Sequence, residues 1–191
     1  MRELKEEGLI SHFGASVEAI DDGLVCMEQE GLQSLQVIFN VLRQKPMEQL
    51  LPTAIRKGVG IIVRLPLASG LLAGKYTKAS TFPENDHRNF NKDGEAFNVG
   101  ETFSGLPFDK GVEFTEELKA MKPEEMTMVD FTLRWILDHD AVTTIIPGAS
   151  RPDQVVSNVV AESLKPLSEN MHDILASFYK NHVHQNVRGV Y

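Results

Sequence analysis

The chain has 191 residues, 42% hydrophobic and 24% charged, with 19 Lys+Arg against 27 Asp+Glu for a formal net charge of −8. A chain of this size buries a core without disulfides or metals, and its one cysteine, Cys26, leaves neither an intramolecular disulfide nor a cysteine-rich zinc site. The absence of a Lys/Arg cluster argues against nucleic acid as a partner, no apolar run reaches the ~20 residues that span a bilayer, and the charged start Met-Arg-Glu-Leu-Lys-Glu-Glu is no secretory signal, so the expected compartment is the cytoplasm.

Residues 1–7 read as helical turns stopped by Gly8. From Leu9, the residues Ile10, His12, Phe13 and Gly14 read as a short strand, with Ser16 as the cap of a helix running from Val17 to about Glu30. Cys26 falls in that amphipathic helix as a small core residue. Leu35, Val37, Ile38, Phe39 and Val41 form a run too continuous for a strand with one wet face, so burial on both faces is expected. Pro46 opens a helix to about Lys57, with Met47, Leu50, Leu51, Ala54 and Ile55 at helical spacing and Gly58 as its stop. Val59 to Leu65 is the third strand.

Residues 66–122 then form a long stretch in which Glu113 to Met121 alone reads as helix, and Phe82, Phe90, Phe97 and Phe103 predict that it is ordered. A helix from Pro123, with Met126, Val129, Leu133, Ile136 and Leu137 on its apolar face, ends in a polar Asp138-His139-Asp140 and precedes a fourth strand, Val142 to Ile146. Helices from Pro152 and from Ser168 to Tyr179 follow. Strands alternating with helices through short links predict parallel β/α units in an α/β fold.

Two strand ends carry chemistry. Pro66-Leu67-Ala68-Ser69-Gly70-Leu71-Leu72-Ala73-Gly74-Lys75 offers small residues whose backbone N–H groups can approach an anion, with the charge of Lys75 added; the same loop also reads as a tight turn that needs glycine. After the fourth strand, Gly148-Ala149-Ser150-Arg151 leads into Pro152, whose helix presents free N–H groups to the same spot, which favours a phosphate. The bland reading is a capped helix with a solvated Arg151. Asp86-His87-Arg88 reads as a solvated turn, the alternative being that His87 reaches a ligand over the long loop, and His182 and His184, two apart, face different ways on a helix and predict no metal site.

In these motifs, together with Leu4-Lys5-Glu6-Glu7-Gly8, His12-Phe13-Gly14-Ala15-Ser16 and Phe97-Asn98-Val99-Gly100-Glu101-Thr102-Phe103, the chain resembles the C-terminal part of an aldo-keto reductase over essentially its whole length. The resemblance implies a partial (β/α)8 TIM barrel, strands five to eight plus a C-terminal helix, as a single domain over 1–191 with 66–122 as the cofactor and substrate loop. It implies NADP as cofactor, with NAD as the alternative, and reduction of small aldehydes or ketones by NADPH. Ser16 and Gln36 would meet the nicotinamide carboxamide; Leu67, Ser69, Gly70 and Leu71 would line the pyrophosphate beside Lys75. Gly148, Ser150, Arg151, Gln154 and Asn158 would hold the adenosine end, with Ser150 and Arg151 facing a 2′-phosphate. Two positions depart from the pattern: Val17 stands where the family often has Asn, and Arg64 where it often stacks an aromatic under the nicotinamide, although a guanidinium also stacks on a flat ring.

The family's catalytic Asp, Tyr, Lys and His come from the first four strands, so the resemblance places no catalytic residue in this chain and sets Tyr76, Tyr179 and Tyr191 outside the general-acid context. Without an acid at the carbonyl oxygen, a positioned hydride gives little turnover, and the chain alone is expected to be inactive. Four parallel strands cannot close, which predicts a partner: a second copy or a separate N-terminal half. Two further readings are a non-catalytic NADP(H)-binding or regulatory paralogue, and a gene fragment without independent function, the latter suggested by Met1 falling within helical turns.

Overall fold

The computed structural model describes residues 1–191. In chain order the elements are α1 (Arg2–Glu6), β1 (Phe13–Ser16), α2 (Ile20–Met27), β2 (Leu32–Ile38), α3 (Leu50–Lys57), β3 (Gly60–Arg64), α4 (His87–Phe90), α5 (Phe108–Met121), α6 (Met128–Leu137), β4 (Val142–Ile145), α7 (Pro152–Ser163) and α8 (Glu169–Phe178). The strands form one parallel sheet in the order β1-β2-β3-β4. The register places Ser16 beside Gln36, Ile38 beside Arg64 and Val63 beside Ile145, so the strand ends that carry the sequence motifs finish on one edge of the sheet.

Alternation along the strands decides where the core sits. Leu35 and Val37 of β2 and Ile61 and Val63 of β3 are buried, and they join Leu50 and Ala54 of α3 and Phe131 and Trp135 of α6 in one apolar cluster. Ser34, Gln36 and Ile62, which point to the other face, are half-buried. On that second face burial is complete only at the strand's end, at Ile38. The strand leaves the sheet after Ile38, where the Asn40 side chain accepts from Leu42 N–H (3.0 Å) and forms a turn. Phe39, Val41 and Leu42, at and beyond that turn, are fully buried, and the Phe39 ring lies 5.0 Å from Trp135 of α6.

Several boundaries move for identifiable reasons. The Leu9 and Ile10 N–H groups both bond Leu4 O, so the chain is still unwinding from α1 there, and β1 starts only at Phe13. Ser16 caps no helix: it stays in the ladder opposite Gln36, and α2 begins after Ala19. Pro46 lies in a short 3₁₀ turn, while α3 starts at Leu50, because the Pro52 ring is tolerated only in a first turn. Pro123 likewise precedes its helix. α6 begins at Met128, where Thr127 and Asp130 cap each other's backbone N–H groups. α5 runs back from the expected start at Glu113 to Phe108, through Gly111; a Cβ there would lie 2.4 Å from Leu71 Cδ1, so the helix and the loop after β3 touch at that glycine.

The long connection is ordered as expected. Tyr76, Phe82, Phe103 and Phe108 form an aromatic cluster with ring centroids 5.0–6.0 Å apart, whereas Phe90 and Phe97 make a separate, partly exposed pair. The polar helix end at Asp138 is buried instead: its carboxylate accepts from Arg134 Nε (2.8 Å) and Leu167 N–H (2.9 Å) and pairs with His172 Nε2 (3.0 Å), tying α6 to α8. No helix is long and apolar enough to cross a membrane.

Candidate functional site

The loops after β3 and β4 and part of the long connection enclose a cavity of about 650 Å³. Its first wall is the segment Leu65 to Tyr76, including Leu67, Ser69, Gly70 and Lys75; its second is Ile146 to Gln154, including Gly148 and Ser150. Gly148 has open space where a Cβ would stand. The third wall comes from His87, Arg88 and Glu101.

The backbone around the first wall is held in conformations that side chains disfavour. Leu65, Ala68 and Ser69 have φ of +50°, +48° and +56°, and on the facing segment Phe103 and Ser104 have +52° and +57°. Such residues cost on the order of 1–3 kcal/mol each and cluster at ligand clamps. Cross-links hold them in place. Asn40 Nδ2 donates to Leu65 O (2.9 Å) and Ser104 Oγ (2.8 Å), while Ser69 Oγ accepts from Phe103 N–H (3.1 Å) and donates to Glu101 O (3.3 Å). The buried Arg43 adds a donor to Ser104 O (3.2 Å).

Asp86-His87-Arg88, read from sequence as a solvated turn, is built into the cavity wall. The Asp86 carboxylate grips Arg88 through two bonds (Nε to Oδ1 2.9 Å, Nη2 to Oδ2 2.5 Å) and is held down at about 2 by that guanidinium. Arg88 Nη1 donates to the Tyr76 hydroxyl. Lys75 and Arg88, the latter paired with Asp86 behind it, thus give the cavity its cationic groups, and Glu101 is the one carboxylate in the lining.

Of the residues singled out in sequence, Leu67, Ser69, Gly70, Lys75, Gly148, Ser150 and Gln154 come together around this cavity. Gln154 Oε1 accepts from Ser150 N–H (2.7 Å), Arg151 N–H (3.1 Å) and the Ser150 hydroxyl (3.2 Å), so it gathers the donors at the start of α7. Leu71 is buried behind the wall against Gly111. Arg151 is exposed and pairs with Asp153 (3.1 Å) outside the lining. Asn158 lines a separate groove of about 390 Å³ between β4 and α7. Ser16 and Gln36 sit side by side at the ends of β1 and β2, and Arg64, at the end of β3, reaches the cavity through its ion pair with Glu101. Tyr76 and Glu101 line the cavity without a sequence signal as lining residues, whereas for His87 and Arg88 the charge cluster 86–88 inside an aromatic-rich connection is the local signal.

The aldo/keto reductase family model matches residues 1–180. The chain belongs to that family. It is 29% identical over 175 residues to an aldo-keto reductase from the fungus Strobilurus tenacellus, a match covering 90% of this chain and 49% of that protein. Among solved structures, an aldo-keto reductase from Bacillus halodurans (holo form) superposes with a TM-score of 0.65 at 25% identity, covering 100% of this chain and 55% of that one. A glycerol dehydrogenase from Gluconobacter oxydans superposes at 0.74 over 99% of this chain and 55% of its own; at 22% identity it speaks for the fold. The chain spans about half the length of the curated relatives it matches. Aldo-keto reductases of this kind are TIM barrels that generally bind nicotinamide cofactors, and the four parallel strands here are part of that architecture.

The residues present fit such a group. Arg64 Nε is buried without a partner beside the cavity, backbone room exists at Gly148, and the lining is basic where a pyrophosphate would bring negative charge.

Proposed function

We propose that this chain is the cofactor-binding half, strands five to eight, of an NADP(H)-dependent aldo-keto reductase that reduces small aldehydes or ketones to alcohols. The basic cavity between the ends of β3 and β4 carries this reading. When bound there, the nicotinamide nucleotide supplies the hydride. Lys75 and Arg88 hold the pyrophosphate by charge and hydrogen bonding, against the Leu67, Ser69, Gly70 and Leu71 turn. Ser16 and Gln36 orient the carboxamide, Arg64 presents its guanidinium to the ring, and Gly148, Ser150, Gln154 and Asn158 hold the adenosine end. Arg151 turns from Asp153 to a 2′-phosphate, which makes the stronger, charge-assisted partner. The acid that protonates the carbonyl oxygen belongs to the other half of the barrel. Tyr179 and Tyr191 bond each other (2.6 Å), and Tyr76 is engaged by Arg88, which supports assigning none of them that role.

Turnover by this reading needs the other half of the barrel, whether as a separate chain or an upstream segment. The test is binding, read by NADPH fluorescence and by calorimetry. The 191-residue chain is expected to bind NADPH, and Arg151→Ala to weaken NADPH about tenfold while changing NADH little, the size of one lost charge-assisted contact. Equal losses for both nucleotides would remove the preference for NADP, and no binding of either would remove the cofactor reading.

A further inference from the structure

Glu101 is out of place on charge grounds. A cavity lined by Lys75, His87 and Arg88 suits phosphates, yet its one carboxylate adds repulsion. The explanation lies in what Glu101 touches. It is ion-paired with Arg64 Nη1, while Arg64 Nη2 donates to Val17 O (3.1 Å) at the end of β1. Two nitrogens of the guanidinium are thereby pinned and the third, Nε, is left buried without a partner. The Arg64 side chain is 10% exposed and that of Glu101 24%, so water screens the pair poorly.

Glu101 is itself held by backbone devices. Asn98 Oδ1 accepts from Gly100 N–H (2.7 Å), and Ser69 Oγ bridges Glu101 O and Phe103 N–H, both in segments of strained backbone. A surface salt bridge would not require such anchoring.

We propose that Glu101 is a positioning residue of the cofactor site that, by cancelling the charge of Arg64, sets how the chain discriminates between oxidised and reduced nicotinamide. The inference rests on the cofactor reading above and deepens it. The two redox forms have nearly the same shape, but the oxidised ring is cationic and the reduced ring neutral. An uncompensated Arg64 near that ring repels the oxidised form alone. The buried Arg43 lies within electrostatic reach of both Arg64 and Glu101, so removing the carboxylate exposes the ring to a wider positive field. With Glu101 in place the pair is neutral and both forms are accepted, as an enzyme that must bind one and release the other requires.

The test measures dissociation constants for NADP+ and NADPH, repeated with NAD+ and NADH, on the 191-residue chain and its variants, with folding followed by circular dichroism. Glu101→Gln keeps the shape and the acceptor oxygen but removes the charge. It is expected to raise the ratio of oxidised to reduced dissociation constants about tenfold, the scale of one charge at partly screened contact distance. Arg64→Gln leaves Glu101 unopposed and is expected to move the ratio the opposite way, which keeps the proposal falsifiable if Glu101→Gln does not fold. Equal weakening of both forms, or an unchanged ratio in a folded variant, overturns the proposal and leaves a merely structural ion pair. A wild-type chain that binds none of the four nucleotides overturns the cofactor reading itself, before Glu101 is at issue.

Discussion

At the scale of single residues, His139 shows how packing against aromatics turns a titratable group into a stability determinant. Its ring stands edge-on to Phe39 (5.0 Å) and near Trp135 (4.6 Å), with Nδ1 2.8 Å from Trp135 O. Burial pushes its pKa down, the neighbouring His172 adding to the effect and the hydrogen bonds to Trp135 and Ile136 and the charge of Asp138 opposing it. A histidine held neutral in the fold takes up a proton in the unfolded chain first, near its ordinary pKa of about 6.5. Its contribution is therefore complete above that value and is lost as pH falls from there toward the lower folded-state value. Urea midpoints are expected to fall between pH 7 and pH 5.5 in the wild type, and to fall less in His139→Phe, which cannot titrate. Parallel pH profiles for the two proteins would assign the effect to other groups.

At the scale of elements, the start of α6 rests on a reciprocal cap. The Thr127 hydroxyl accepts from Asp130 N–H (3.1 Å) and the Asp130 carboxylate from Thr127 N–H (3.2 Å). Thr127→Ala should cost about 1 kcal/mol, read as a lower urea midpoint at unchanged slope, whereas no loss would mean that packing of Phe131 and Trp135 alone fixes the helix. The same helix marks the limit of sequence reading. Spacing reveals its apolar residues, but Pro123 reads as its start because a capping pair four residues later is a weaker local signal. α3 and α7 were legible through Gly58 and Pro152, which act within a turn of their own positions. The end of β2 is not, because Asn40 is held by Ser104 and Phe39 packs on Trp135 of α6, both distant in sequence. The site divides the same way: at the ends of β3 and β4, Leu67, Ser69, Gly70, Lys75, Gly148, Ser150 and Gln154 line the cavity, whereas Leu71, Arg151 and Asn158 do not. Tyr76, Arg88 and Glu101 reach it only because the aromatic cluster folds the long connection back over the sheet.

At the scale of the whole molecule, the sheet is open at both ends. β1 pairs on one side with β2 and β4 on one side with β3, so each presents an unpaired backbone edge. Beside the β4 edge, α7 exposes Val155 (53%), Val156 (67%), Val159 (63%) and Val160 (46%), with Val155 and Val159 also lining the groove against β4. A helix carrying four exposed valines along one stretch is under-covered, and burying each against a partner would contribute about 1 kcal/mol. Backbone edges supply direction and the valines supply the driving force, so the two features together favour association over a free monomer. Light scattering on the chain alone should give a mass above its 21.3 kDa, and Val155→Lys with Val159→Lys should shift that mass downward without changing the circular dichroism spectrum. A wild type already monodisperse at 21.3 kDa would show that the open edges are tolerated. An assembly that persists in the lysine variant would instead place the contact at the β1 edge, where no such valine cluster stands.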